Sequence, residues 1–158
     1  MSRVSAYAAA TMTVTVTEAL TINNKDYGSK QSFNKASITN VDRRVLTATT
    51  TETSIMTFST VMAAGQSIPA KVQYLRFTNL DDTNFIVLTF ANENDDEAAV
   101  KVDAGNTFIL AGDNAGGMAD MLDAKDSALS LSLGDLKSRT VDADTASCDV
   151  EVFVAEIA

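Results

Sequence analysis

The residues of this chain whose type and spacing could do chemistry are its paired carboxylates: Asp81 with Asp82, Asp95 with Asp96, Asp120 with Asp123, and Asp142 with Asp144. Two carboxylates across a cleft can split a glycosidic bond, one as acid and the other as base or nucleophile. Such sites also hold the sugar on aromatic platforms, and this chain has no Trp and only 3 Tyr. The pairs therefore read as a solvated acidic surface. Asn92-Glu93-Asn94-Asp95-Asp96-Glu97 gathers hard oxygen donors of the kind Ca²⁺ takes. It lacks the Gly and Glu spacing of an EF-hand loop, so it reads as a charged tip, and no metal site is expected there.

Other chemistries lack their partners. The chain has no His and 1 Cys, which removes zinc ligation and the usual base beside a Ser or Cys nucleophile. The lysines lie in polar stretches, with no Ser-x-x-Lys ahead of a helix. Gly112-Asp113-Asn114-Ala115-Gly116-Gly117 is glycine-rich, but no basic residue follows closely and its Asp repels phosphate. It reads as a turn. Cys148 cannot form an intrachain disulfide and is expected as a buried apolar residue of the last strand. The expectation is a protein without catalytic activity or cofactor.

Composition narrows the partners. A chain of 158 residues fits one domain with a real core. The net charge of -9 disfavours a nucleic-acid backbone and an anionic membrane surface, because both demand clustered Lys and Arg. The N-terminus lacks the Leu-rich block of a signal peptide, and no stretch approaches the roughly 20 apolar residues of a membrane span. Synthesis in the cytoplasm and solubility are the expectation.

The elements that would position any site are strands. Val72 to Leu110 reads as successive antiparallel hairpins, turning at Asn79-Leu80-Asp81-Asp82-Thr83-Asn84 and at Asp103-Ala104-Gly105-Asn106. Val45 to Thr50, Ser54 to Ser59, Ala98 to Val102, Thr107 to Leu110, Leu129 to Leu133 and Cys148 to Val154 read as further strands. Phe85 to Phe90 is apolar almost throughout, as in a strand buried on both faces. Pro69 rules out a central strand at residues 65–69. Met118, Met121, Leu122 and Lys125 recur at helical spacing and predict one short helix, and Ser138 to Ser147 reads as a polar connection. Leu75 and Phe77 share one face of their strand, with Val72, Tyr74 and Arg76 on the other. The pattern predicts an all-β fold: an antiparallel β-sandwich, of jelly-roll type, with one short helix and an N-terminal extended arm. Its expected core is Leu75, Phe77, Ile86, Leu88, Phe90, Val100, Val102, Phe108, Leu110, Val150, Val152 and Val154.

Residues 1–42 stand apart as an arm or edge hairpin, and the sandwich is expected over 43–158. Within the arm, Thr11-Met12-Thr13-Val14-Thr15-Val16-Thr17 alternates strictly and carries no charge. A flat, uncharged, β-prone edge invites pairing with another chain. These seven residues are the expected assembly interface, paired with the edge of a neighbouring subunit in preference to an edge of their own chain.

Tyr74-Leu75-Arg76-Phe77-Thr78-Asn79-Leu80-Asp81-Asp82-Thr83-Asn84, then Ala104-Gly105 ahead of Phe108-Ile109-Leu110, then Val150-Glu151-Val152-Phe153-Val154, resembles small β-sandwich structural proteins of tailed-phage virions. The resemblance spans residues 43 to 157 and transfers no functional residue, because such proteins work through surfaces. It implies a non-enzymatic virion component present in many copies, a capsid decoration or a neck or tail part. Its partners would be copies of itself and other virion proteins such as the major capsid protein. The competing expectation is a receptor- or carbohydrate-binding β-sandwich module.

Overall fold

The computed structural model describes residues 8–59, 66–92, 97–112, 117–118, 136–143 and 145–158, and it is all-β. The strands are β1 (Ala10–Glu18), β2 (Thr21–Ile22), β3 (Lys25–Asp26), β4 (Ser29–Ala48), β5 (Thr53–Phe58) and β6 (Gln66–Ser67), then β7 (Val72–Asn79), β8 (Ile86–Asn92), β9 (Glu97–Val102), β10 (Thr107–Ala111), β11 (Leu136–Ala143) and β12 (Cys148–Ile157). A 3-10 turn, Pro69–Lys71, leads into β7. One five-stranded sheet runs β1-β4-β12-β7-β10 and a second runs β6-β5-β11-β8-β9. Every pairing is antiparallel except that of β5 with β6.

The pairings are nested. β8 pairs with β9, β7 with β10, β5 with β11, and β4 with β12. From β4 onward the chain therefore steps repeatedly from one sheet to the other. The buried faces of both sheets supply one apolar cluster. Leu75, Phe77, Leu110, Val150, Val152 and Val154 come from the first sheet, and Ile55, Met56, Phe58, Ile86, Leu88, Phe90 and Val102 from the second. Val100 and Phe108, also expected in the core, are half-buried against it. Cys148 is buried in β12, as expected.

Several expectations are corrected. The turns at Asn79–Asn84 and at Asp103–Asn106 do not close hairpins. β7 and β8 lie in different sheets, as do β9 and β10, so both turns cross from one sheet to the other. Reversal chemistry alone does not distinguish a step sideways from a step across. Here the buried Asn79 ties the crossings together: its Nδ2 donates to the carbonyls of Asn84 (2.8 Å) and Val102 (3.2 Å). β8 buries Ile86, Leu88 and Phe90 on one face but leaves Val87 and Thr89 half-exposed. Val72 joins Leu75 and Phe77 in the core, because the register of β7 shifts by one residue between Tyr74 and Val72. Leu136–Ala143, expected largely as a polar connection, is the central strand of the second sheet. The boundary expected near Arg43 falls inside β4, which runs unbroken for 20 residues. Met118 is buried in the core, while the rest of the expected helix and the strand expected at Leu129–Leu133 lie outside the described residues.

Replacing Phe77 with Ala should lower stability by about 3–5 kcal/mol, and Leu88 by about 2–5 kcal/mol, read from urea unfolding. Glycines at positive φ offer a contrast. At Gly117 (φ 59°) a Cβ would lie 2.5 Å from the Ala70 carbonyl oxygen, whereas at Gly105 (φ 71°) it would meet nothing within 4 Å. Gly105→Ala should cost about 1–2 kcal/mol from backbone conformation alone. Gly117→Ala should cost several times more, and equal losses for the two would contradict the packing described.

Candidate assembly site

The N-terminal strand folds onto its own chain. β1 pairs with the first half of β4 in a register that is continuous from Met12 to Glu18, Thr13 with Asn34, Val14 with Phe33 and Thr15 with Ser32. This corrects the expected preference for a neighbour's edge, and the reason is local. Asn23 (φ 51°) and Asn24 (φ 62°) form the tight left-handed turn that two-residue hairpins require, so closing the ribbon takes little chain entropy. One face then zips through polar pairs: Thr13 Oγ1 donates to Asn34 Oδ1 at 2.9 Å, and the Thr15 and Ser32 hydroxyls pair at 2.9 Å. At the ribbon's end Ser29 Oγ donates to Glu18 Oε2 at 2.5 Å, and Gly28 N donates to Asp26 Oδ1 at 2.7 Å.

The opposite face is apolar and bends back over the first sheet. Met12, Val14 and Phe33 pack against buried Ile38, Tyr74 and Ala155, together with Phe153 and Ile157. Tyr74 and Phe153 meet edge to face at 5.9 Å between centroids. The bend starts at a β-bulge, where β4 carries an extra residue between Lys35 and Ile38 and Ser37 takes φ 61°. Buried Lys35 then donates from Nζ to the carbonyl of Gly112, past the end of β10 at the far edge of the sheet. Beyond this anchored base the ribbon is exposed. Val16, Leu20, Ile22 and Tyr27 are all solvent-facing, with Lys25 Nζ 5.1 Å from the Tyr27 ring centroid.

Thr11 to Thr17 therefore lie on the outermost strand of the first sheet. Among the described residues β1 has a partner on one side only, β4. A shallow groove of about 300 Å³ runs beside it, lined by Met12, Thr13, Val14, Thr15, Tyr74, Arg76 and Phe153. Burial pushes the Tyr74 phenol above its ordinary pKa. The same outer face carries an ion network. Glu151 accepts from Arg43 (Nη2, 2.7 Å) and from Arg76 (Nη2, 2.5 Å), and Arg76 also lies 5.6 Å from the Phe153 ring centroid. Arg43 first, then Arg76, hold the Glu151 carboxyl below its usual range, against the opposing pull of its desolvation.

The paired carboxylates do not assemble into a centre where they are described. Asp81 Oδ1 accepts from the backbone N–H groups of Asn84 (2.6 Å) and Thr83 (2.8 Å), which hold its pKa low. Asp82 accepts from the Thr83 hydroxyl at 2.8 Å. Both are turn residues at the crossing from β7 to β8. Asp95, Asp96, Asp120, Asp123 and Asp144 lie outside the described residues. Among the described residues no three His, Cys, Asp or Glu gather as metal ligands. No helix of the described residues is long and apolar enough to cross a membrane.

Residues missed in the sequence include Lys35, Gln73 and Glu156, all buried. Among the described residues Gln73 Nε2 and Glu156 Oε1 have no hydrogen-bond partner, although Glu156 Oε2 accepts from Asn40 Nδ2 at 2.7 Å. Glu156 was detectable, because it continues the inward parity of Val150, Val152 and Val154. No protein-family model, characterised protein or solved structure matches this chain.

The lowered Asp81 and Glu151 values set a pH dependence. Around the ordinary carboxylate pKa of about 4, the unfolded chain binds more protons than the folded one. The stability these groups add is thus complete above that range and is lost as pH falls through their depressed folded values. Urea midpoints of the wild type should fall more steeply between about pH 5 and pH 3 than those of a Glu151→Gln, Asp81→Asn double variant. Equal acid limbs would show that neither group contributes.

Proposed function

We infer that this protein is a non-enzymatic structural component of a phage particle, present in many copies, working through surfaces as a capsid decoration or a neck or tail part. The observation that carries this reading is the ribbon, which presents Val16, Leu20, Ile22 and Tyr27 to solvent at the end of a braced two-stranded lever. Exposed apolar side chains grouped at one end of a projecting element mark an interaction surface. The fold supports the reading by analogy. We take the two sheets to be the layers of a β-sandwich with jelly-roll winding, because β4, β7, β10 and β12 of one sheet alternate in sequence with β5, the β8–β9 pair and β11 of the other, and the pairings are nested. Jelly rolls recur in viral capsid proteins and in lectins, where they work through their surfaces and loops. A sugar-binding reading has less support: Tyr27 is the one exposed aromatic side chain among the described residues, and it lies at the ribbon tip.

Val16 and Gln31 are directly paired, so the ribbon can be shortened without changing register. Replacing residues 17–30 with Asn-Gly should leave the β circular dichroism spectrum and the core unfolding transition intact. Incorporation into particles should be lost, as measured by quantitative mass spectrometry of purified virions. Unchanged incorporation would remove the ribbon tip as the contact, and absence of the wild-type chain from particles would overturn the reading itself.

A further inference from the structure

We propose that the open edge of β1 is a homotypic docking site, and that its occupant is the same strand of a second copy, paired antiparallel about a two-fold axis through Val14. This deepens the reading above, on which it rests, by naming the partner and register of one contact.

The ribbon has two edges, and they differ. Residues 29–37 of β4 extend past the end of β12, which pairs only from Ile38 onward. That stretch carries the exposed Lys30, the kind of residue that guards a strand edge against pairing, whereas Lys35 is buried. β1 carries no charge from Ala10 to Thr17 and no proline, and its register is unbroken from Met12 to Glu18. The unguarded edge is thus confined to the seven residues Thr11 to Thr17. Among the described residues the backbone donors and acceptors on this edge have no partner, and they are a template that an extended strand could satisfy.

Self-recognition follows from parity. In an antiparallel pair related by a two-fold axis, each residue faces one separated from it by an even number of positions. An alternating strand therefore always meets its own kind. Centred on Val14, Thr13 faces Thr15 of the other copy and Thr11 faces Thr17. Met12 faces Val16, and Val14 faces itself. Threonine pairs and β-branched apolar pairs are both favourable cross-strand combinations. Charge selects the same strand. With a net charge of -9, two copies repel across most of their surfaces, and an uncharged stretch is where they can meet. The groove beside β1 lies along this edge, since residues of both parities, Met12 to Thr15, line it. Tyr74 and Phe153 extend the apolar face next to it.

The test is a charge exchange at exposed positions. Thr13 and Thr15 are solvent-facing, so a T13K/T15K variant and a T13E/T15E variant should both fold, as checked by circular dichroism. In sedimentation equilibrium of the full chain, the wild type should dimerise with concentration. Each charged variant places like charges opposite one another twice and should dimerise roughly tenfold to a hundredfold more weakly. An equimolar mixture of the two should restore the dimer, because every opposed pair is then Lys with Glu. A monomeric wild type, charged variants that associate as tightly as the wild type, or a mixture that fails to rescue would each overturn the pairing. The particle assay above scores the broader reading separately. A chain found in virions whose charged variants still self-associate would lose this contact and keep that function.

Discussion

The pairing of the last strand between β4 and β7 is the constraint on which the rest of the structure depends. β12 matches Cys148 to Ile157 against Ala48 to Ile38, and its other edge runs along β7 from Asn79 to Val72. It places Val150, Val152 and Val154 in the core and Phe153, Ala155 and Ile157 against the base of the ribbon. It also carries Glu151, which ties Arg43 on β4 to Arg76 on β7. This one element therefore joins early and late segments of the chain, and the core to the outer face. Pairings between residues so distant in sequence are slow to form, and the nested order places the most distant partners outermost.

The ribbon inherits its direction from that pairing. β4 is much longer than the strand beside it, so its first half runs on past the end of β12 and takes β1 as its partner. The bulge at Ser37 then turns this extension over the sheet, where Met12, Val14 and Phe33 close on Tyr74 and Ala155. Lys35 reaching Gly112 holds the base at the far edge. A lever braced this way can present its tip and its free edge without being buried itself. A binding element ordered before it meets its partner loses less conformational entropy on docking.

Much of the fold was legible because burial contrasts along a strand leave a period of two. Leu75 with Phe77 and Val150 to Val154 carry that mark, whereas Phe85 to Phe90 is apolar on both parities and hides it. β11 did not, since Leu136-Lys137-Ser138-Arg139-Thr140-Val141-Asp142-Ala143 mixes polar types on both parities, and its place at the centre of a sheet comes from its neighbours on either side. The crossings at Asn79 and Asp103 were legible as reversals but not as changes of sheet, which depend on partners many residues away. The site was half legible. Thr11 to Thr17 announce an unguarded edge, yet the same residues also zip onto Asn34 and Ser32 through the turn at Asn23-Asn24. A strand has two edges, and the composition of one strand does not say which its own chain will use.

Amide hydrogen exchange along β1 tests the central claim most directly. Alternate N–H groups of Thr11 to Thr17 point toward β4 and the others toward the open edge. The account predicts that the inward set is protected at every protein concentration. The outward set should exchange freely in dilute solution and become protected as the chain assembles. Outward amides that are protected at the lowest concentration, or that stay open in the assembled protein, would contradict it.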